Sequence, residues 1–440
     1  MSDDGVAIGG SKPLDVHPLR AEVLGELHAR PFTPIETPRR VLHFAFLTSA
    51  RSGADREALA TLCRTKGMSV PPEGARHMRW QFAGGAMRWE SHNEFSSYRW
   101  EFSSSSETPF APAARTVAQP LADFVQPGPL LVAIDMHLVG DLRRDVPIES
   151  IFDRASLAAA ENSDGTALFA TDFQLTEDGY IRILISDRGL GAERAGALVQ
   201  RVLELETYRT LALLGLPEAQ RLSPAIGRIE KRLAEVTDAM RHTQGLSDNS
   251  RLLDELTALA SDLEADAAAS LYRFGATRAY FEIVQTRPQA IGERKVGGLP
   301  TWSSFLNRRL APAMRTCSTM EERQANLSRK LARAANLLRT RVDVALEGQN
   351  RDLLTAMNRR ARAQLRLQQT VEGLSVAAIS YYLVGLVHFM LDGAHNFGFP
   401  INPTIGTAIA VPIVVVFVAL IVRRIRRRYD ERVGQDEKST

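Results

Sequence analysis

The chain has 440 residues, 24% of them charged, with a mean hydropathy of −0.14, which leaves room for two or three domains and excludes a chain embedded in membrane throughout. A net charge of +3 from 54 basic and 51 acidic residues supplies no basic stripe, so nucleic acid is not an expected partner. The two cysteines, Cys63 and Cys317, form no metal-spaced pair and suit a reducing compartment.

The opening MSDDGVAIGGSKP is acidic and glycine-rich and has no apolar centre. Residues 1–14 are therefore expected as a disordered lead and not as a signal peptide. A short helix is expected from Asp15, ended by Pro31, then a strand from Val41 to Thr48 and a helix from Asp55 to Lys66. The alternating aromatics of HMRWQFAGGAMRWESHNEFSSYRWEF, with Gly84-Gly85 between them, read as antiparallel strands. Leu130 to Val139, Ala167 to Leu175 and Tyr180 to Ser186 add three strands, the last two a hairpin across Thr176 to Gly179. Residues 15–190 thus read as an α/β domain with a largely antiparallel sheet.

Residues 191–317 read as helical: Glu193 to Leu214, Ala225 to Met240, Ser250 to Gln285, a turn over Arg287 to Pro300, and Thr301 to Met314. From Ser318 no proline occurs before Pro400. Leu327, Leu331, Leu338, Val342, Leu346, Leu353, Met357, Ala361 and Leu365 trace one apolar stripe at helical spacing. Residues 318–372 are expected as a stalk helix running on into the next segment, or broken near Gly348 or Gly373. A helix about 110 Å long, at 1.5 Å per residue over Ser318 to Leu391, cannot cover its stripe alone. It needs preceding helices or other subunits, in the manner of a coiled coil.

Two apolar runs close the chain, GLSVAAISYYLVGLVHFML (373–391) and TIGTAIAVPIVVVFVALIV (404–422), joined by 392–403. Each is roughly 19 residues without Lys, Arg or Glu, long enough to cross the hydrocarbon core as a helix. Arg359, Arg360, Arg362 and Arg366 precede the first, RRIRRR (423–428) follows the second in the basic tail 423–440, and the link has no Lys or Arg. By the positive-inside rule both flanks face the cytoplasm, so a multi-pass inner-membrane protein with cytoplasmic N- and C-termini is expected.

This layout resembles the CorA/ZntB superfamily of divalent-cation transporters: an N-terminal cytoplasmic α/β (α+β) domain, a long stalk helix entering the membrane, a short outer loop, a second span and a basic tail. Arg359 to Gln369 with VEGLSVAAISYYLVGL stands where the stalk enters, FGFPINP where the loop ends, and RRIRRR at the tail. The resemblance implies a homo-oligomer, a pentamer in that superfamily, with a pore lined by the first span and a divalent cation as cargo. That superfamily carries Gly-x-Asn in its outer loop. Here Ala394-His395-Asn396 stands in that place, or Gly393-Ala394-His395-Asn396 with one residue inserted, Asn396 at the asparagine and no glycine at its expected position. The blocks ELHARPF, HNEF, RRLAPAMRTC, LLRTRVDVALEGQNR and QLRLQQTVEGLSVAAISYYLVGL look like those of an uncharacterised bacterial family, a domain of unknown function.

Tyr381, Gly385, His388, Asp392 and His395 fall on one face of the first span. With Asn396 they form the candidate pore set, since ionisable groups at membrane depth usually face a cavity or pore. His388 and Asp392, four residues apart, are placed to share a cation or bond each other, and imidazole favours transition metals. Headgroup-level histidines snorkelling to water is the competing reading. In the cytoplasmic domain His28, Arg30, His92 and Glu94, with His17 and His43 nearby, are candidates for a metal or anion site, against a structural role. The group Arg359, Arg360, Arg362 and Arg366 sets topology, and as a collar at the inner pore entrance it would oppose cation flow. No catalytic motif is assembled by spacing, so an enzyme is not expected. The alternative to transport is a membrane-anchored scaffold.

Overall fold

A computed structural model describes residues 17–20, 23–24, 32–48, 53–104, 109–110, 124–141, 147–396, 400 and 402–436. The expected lead 1–14, most of the expected first helix, and His28 and Arg30 lie outside the described residues. The chain divides into two compact units, one of residues up to 242 with 254–335, the other of 243–253 with everything from 336.

The first unit is built on a nine-stranded sheet. Its strands are β1 (Arg39–Leu47), β2 (His77–Phe82), β3 (Gly85–Ser91), β4 (Phe95–Ser103), β5 (Leu130–Val139), β6 (Ala158–Glu161), β7 (Ala167–Thr171), β8 (Ile181–Asp187) and β9 (Arg294–Lys295). They lie in the order β2-β3-β4-β1-β5-β8-β7-β6-β9. Every pairing is antiparallel except β5 with β8, which is parallel. Gly84 makes the β2–β3 turn at φ 82°, a conformation that side chains resist.

Successive side chains of a strand leave on opposite faces. Leu42, Phe44, Phe46, Trp80, Met87, Trp89, Tyr98 and Trp100 therefore share one face, where helix α1 (Ala54–Thr65) covers them with Leu59, Leu62 and Cys63. Asp55 of α1 is buried there and accepts from the Tyr98 hydroxyl at 2.8 Å. Each large apolar side chain so buried contributes about 1.5–3 kcal/mol. The opposite face at β3, β4 and β1 carries charge instead, and α2 (Ala192–Leu213) lies across it. Gly196 of α2 is required: a Cβ there would stand 1.9 Å from the Thr33 carbonyl oxygen, so only glycine admits the passing segment. Ile35 N–H donates to the Ala192 carbonyl in the same contact.

Helices α3 (Gly215–His242), α4 (Leu246–Ile291) and α5 (Trp302–Arg309) follow. The expected turn over Arg287 to Pro300 in fact holds the end of α4 and the two-residue strand β9 on the sheet edge. The expected helix Thr301 to Met314 is broken at Leu310. Thr301 Oγ1 caps α5 by accepting from Ser304 N–H.

The stalk helix begins earlier than Ser318. Helix α6 runs from Ala311 to Asn396, 86 residues without interruption, through both Gly348 and Gly373. Pro312 sits in its first turn, where a missing N–H costs nothing. Helix α7 (Pro403–Asp436) follows. Both helices contain a window long and apolar enough to cross a membrane, about 6% buried in each case.

Candidate functional site

The register places three arginines and a histidine in a row across four neighbouring strands. Arg79 of β2 pairs with Arg88 of β3, Arg88 with Arg99 of β4, and Arg99 with His43 of β1. All four leave the sheet on the face under α2, opposite the aromatic face. Glu90, two residues after Arg88, and Glu101, two after Arg99, stand on the same face and answer them. Arg88 Nε lies 2.6 Å from Glu90, and the Arg99 guanidinium lies 2.9 Å from Glu101, which Arg79 approaches at 3.5 Å.

Between this face and α2 lies a cleft of about 50 Å³. His43, Arg88, Glu90, His92, Ser97 and Arg99 line it from the sheet, and Gln200, Glu204, Thr207 and Tyr208 from the helix. His43 Nε2 is 3.1 Å from Thr207 Oγ1, while its Nδ1 has no partner. Gln200 donates to Glu204 at 3.0 Å, leaving its own carbonyl oxygen without a partner. Glu204 is held by Arg287 at 2.8 Å. Burial, with Arg99 beside it, lowers the His43 imidazole to about 3, so the ring is neutral. Burial alone would raise the Glu90 carboxyl, but the neighbouring His92 ring and the Arg88 charge outweigh it and hold it at about 2.

The sequence candidates separate here. His92 lines the cleft, stacked on Phe95 with ring centroids 4.0 Å apart and 3.7 Å from Glu90. Glu94 is elsewhere. The chain reverses between them, His92 N–H bonding the Phe95 carbonyl, and this sends Glu94 into the body of the unit. There it has no exposed surface and is gripped by Arg273 at 2.6 and 3.2 Å. His43 stood near the sequence candidates, whereas Arg88, Glu90, Arg99 and Gln200 carried no motif. The one advance signal for the arginines was the Gly84-Gly85 turn, which sets Arg79 opposite Arg88.

In the second unit Tyr381, His388, Asp392, His395 and Asn396 are all exposed on α6. His388 does not bond Asp392. Its Nδ1 lies 2.9 Å from Thr407 Oγ1 of α7, and Thr407 spends its one hydrogen on the Pro403 carbonyl at 2.7 Å. Nδ1 is therefore the donor, and the Nε2 lone pair remains on the ring's outer edge. Gly406 sits against Leu391 at the same crossing, where a Cβ would meet its side chain at 2.8 Å. Among the described residues no three His, Cys, Asp or Glu side chains gather as a metal site.

A family model described as a protein of unknown function (DUF3422) matches residues 15–429, nearly the whole chain. The chain belongs to this family. No curated protein and no solved structure matches it. The DUF3422 match runs through the sheet, the cleft and both apolar helices, so the two candidate sites belong to one family unit.

Proposed function

We propose that the chain is a CorA-like, homo-oligomeric transport protein for a divalent cation in the bacterial inner membrane, its pore lined by the first apolar helix of each copy. The carrying observation is the fate of the stripe on α6. Leu327, Leu331 and Leu338 are buried, whereas Leu346, Leu353, Met357, Leu365, Leu367, Val371 and Leu374 are exposed. An exposed apolar face on an unbroken helix is what a second copy of the same helix covers.

From Leu346 the residues Leu353, Met357, Leu367, Val371 and Leu374 recur at steps that are sums of three and four, the spacing of a helix seam. The arginines flanking the apolar windows support an inward orientation of both flanks. Asp392, His395 and Asn396 then stand at the outer mouth, Tyr381 deeper, and His388 braces the two spans through Thr407.

The rival reading is a tether that carries the sheet domain to the membrane without conduction. It is favoured by the exposed group Arg359, Arg360, Arg362 and Arg366, which repels cations. Reconstitution separates the two. Uptake of Mg²⁺, Zn²⁺ or Ni²⁺ into proteoliposomes is expected, falling at least tenfold in Asn396→Ala and Asp392→Asn. An assembled oligomer that passes none of these ions is the tether.

A further inference from the structure

We propose that the open cleft between the loop ahead of β6, strand β9 and helix α5 binds a small ligand carrying two or more phosphate groups. The cleft holds about 1160 Å³, at the upper end of small-molecule sites and far beyond what one phosphate needs. Four cations line it: Arg154 from the loop, Lys295 from β9, and Arg308 and Arg309 from the last turn of α5. No acidic side chain is among the described residues that line it. The whole chain is almost evenly charged, with 54 basic and 51 acidic residues, and protein surfaces usually intersperse the two signs. Composition therefore does not account for four cations and no carboxylate in one place.

These charges are not spent on the protein. Arg154, Lys295 and Arg308 form no ion pair and no side-chain hydrogen bond among the described residues. Arg309 lies over the Phe305 ring at 5.8 Å, which steadies its guanidinium and leaves the N–H groups unbonded. The Ser304 hydroxyl and the Asn307 side-chain amide, both in the lining, are uncommitted donors as well. The carboxylates next to the cleft are taken and lie outside its lining. Asp153 accepts from Ala155 N–H at 3.2 Å and from Gln174 at 2.6 Å. Glu293 accepts from the N–H and the hydroxyl of Ser303 at 3.1 and 2.7 Å.

Cations in the last turn of a helix answer its carbonyl ends, but this accounts for Arg308 and Arg309 alone. Arg154 and Lys295 arrive from other elements, and the fold fixes where they stand. Lys295 pairs with Ala160 of β6, Ala159 N–H donates to the Pro300 carbonyl at 2.9 Å, and Thr301 caps α5. Leu157, only 2% exposed, forms part of the floor. A ligand with several phosphates offsets all four charges at once, and guanidinium forks bond phosphate oxygens in pairs. The site lies within the first unit, so it holds whether the chain conducts or tethers.

The test titrates the full chain in detergent by calorimetry, at about 0.15 M NaCl to screen loose attraction. Tripolyphosphate, ATP and a water-soluble short-chain cardiolipin are the probes. Saturable binding of about one molecule per chain is expected. ATP binding tighter than tripolyphosphate assigns a nucleotide, and cardiolipin binding tighter than both assigns a lipid headgroup; either supports the site. Arg154→Ala combined with Lys295→Ala is expected to weaken the binding at least tenfold. Gly298→Leu is expected to do the same by filling the cleft without altering a charge, since a Cβ there meets nothing within 4 Å. All three positions are exposed, so thermal melts of these variants should match the native chain. No saturable binding of any probe to the native chain overturns the proposal. Affinity left unchanged by the paired alanines places the ligand elsewhere and overturns it too.

Discussion

Glu94 and Arg273 stand 179 residues apart in sequence and meet through two hydrogen bonds, with the carboxylate wholly buried. Tyr280 and Tyr272 pack against the same carboxylate. Burial, joined by that negative charge, pushes both phenols up. Removing Arg273 strands a buried charge. Arg273→Ala is expected to cost about 3 kcal/mol in a denaturant titration, and Glu94→Gln less, because a neutral amide remains. His43 gives a second prediction. Its folded value, about 3, is below the unfolded 6.5, so between those values the unfolded chain binds the extra proton. Stability is complete above pH 6.5 and falls as pH drops through that window, by about 2 kcal/mol at pH 5. Glu90 titrates lower, between 4.5 and about 2, and its loss appears only there. Thermal melts from pH 7 to pH 5 are expected to decline in the native chain and to be flatter in His43→Gln; equal slopes would remove His43 from this role.

At the scale of elements, α2 is fixed on the sheet by what Gly196 lets pass. The segment it admits carries Thr33, whose hydroxyl accepts from Arg99. Gly196→Ala is expected to destabilise the first unit by about 1–3 kcal/mol, the usual cost of overpacking, read as a lowered midpoint in urea. The α6 seam makes a different demand. Leu353 and Met357 lie four residues apart on its exposed face, more than half exposed in the single chain. Replacing both by Ala is expected to shift the particle to lower mass in mass photometry. An unchanged mass would remove the support that this face gives to a proposed assembly of copies.

For the whole molecule the decisive property is solvent. Along α7, Ile405, Ile409, Ile413, Val416, Phe417 and Leu420 are exposed together, an arrangement water disfavours and a bilayer accepts. Val415→Arg at the middle of this run is expected to cost about 2.5–3.5 kcal/mol of insertion on the translocon scale. It should move the chain out of the alkali-resistant membrane fraction. Retention of the native chain only in the soluble fraction would end the membrane reading.

Much of the architecture was legible in periodicity. The alternation in HMRWQF and AMRWES gave strands, the stripe from Leu327 gave a helix, and the two apolar runs gave the C-terminal pair. Strands β6 and β9 were not legible, because AAAE favours no strand by itself and two residues carry no period. The sites divide along the same line. Sequence spacing put His92 with Glu94 and His388 with Asp392. Folding instead took Glu94 to Arg273, His388 to Thr407, and His92 to Glu90. A repeat along one segment tells which way its own side chains point. Which side chains from distant segments meet depends on strand register, on chain reversals and on which helix covers the face, and only the folded chain decides those.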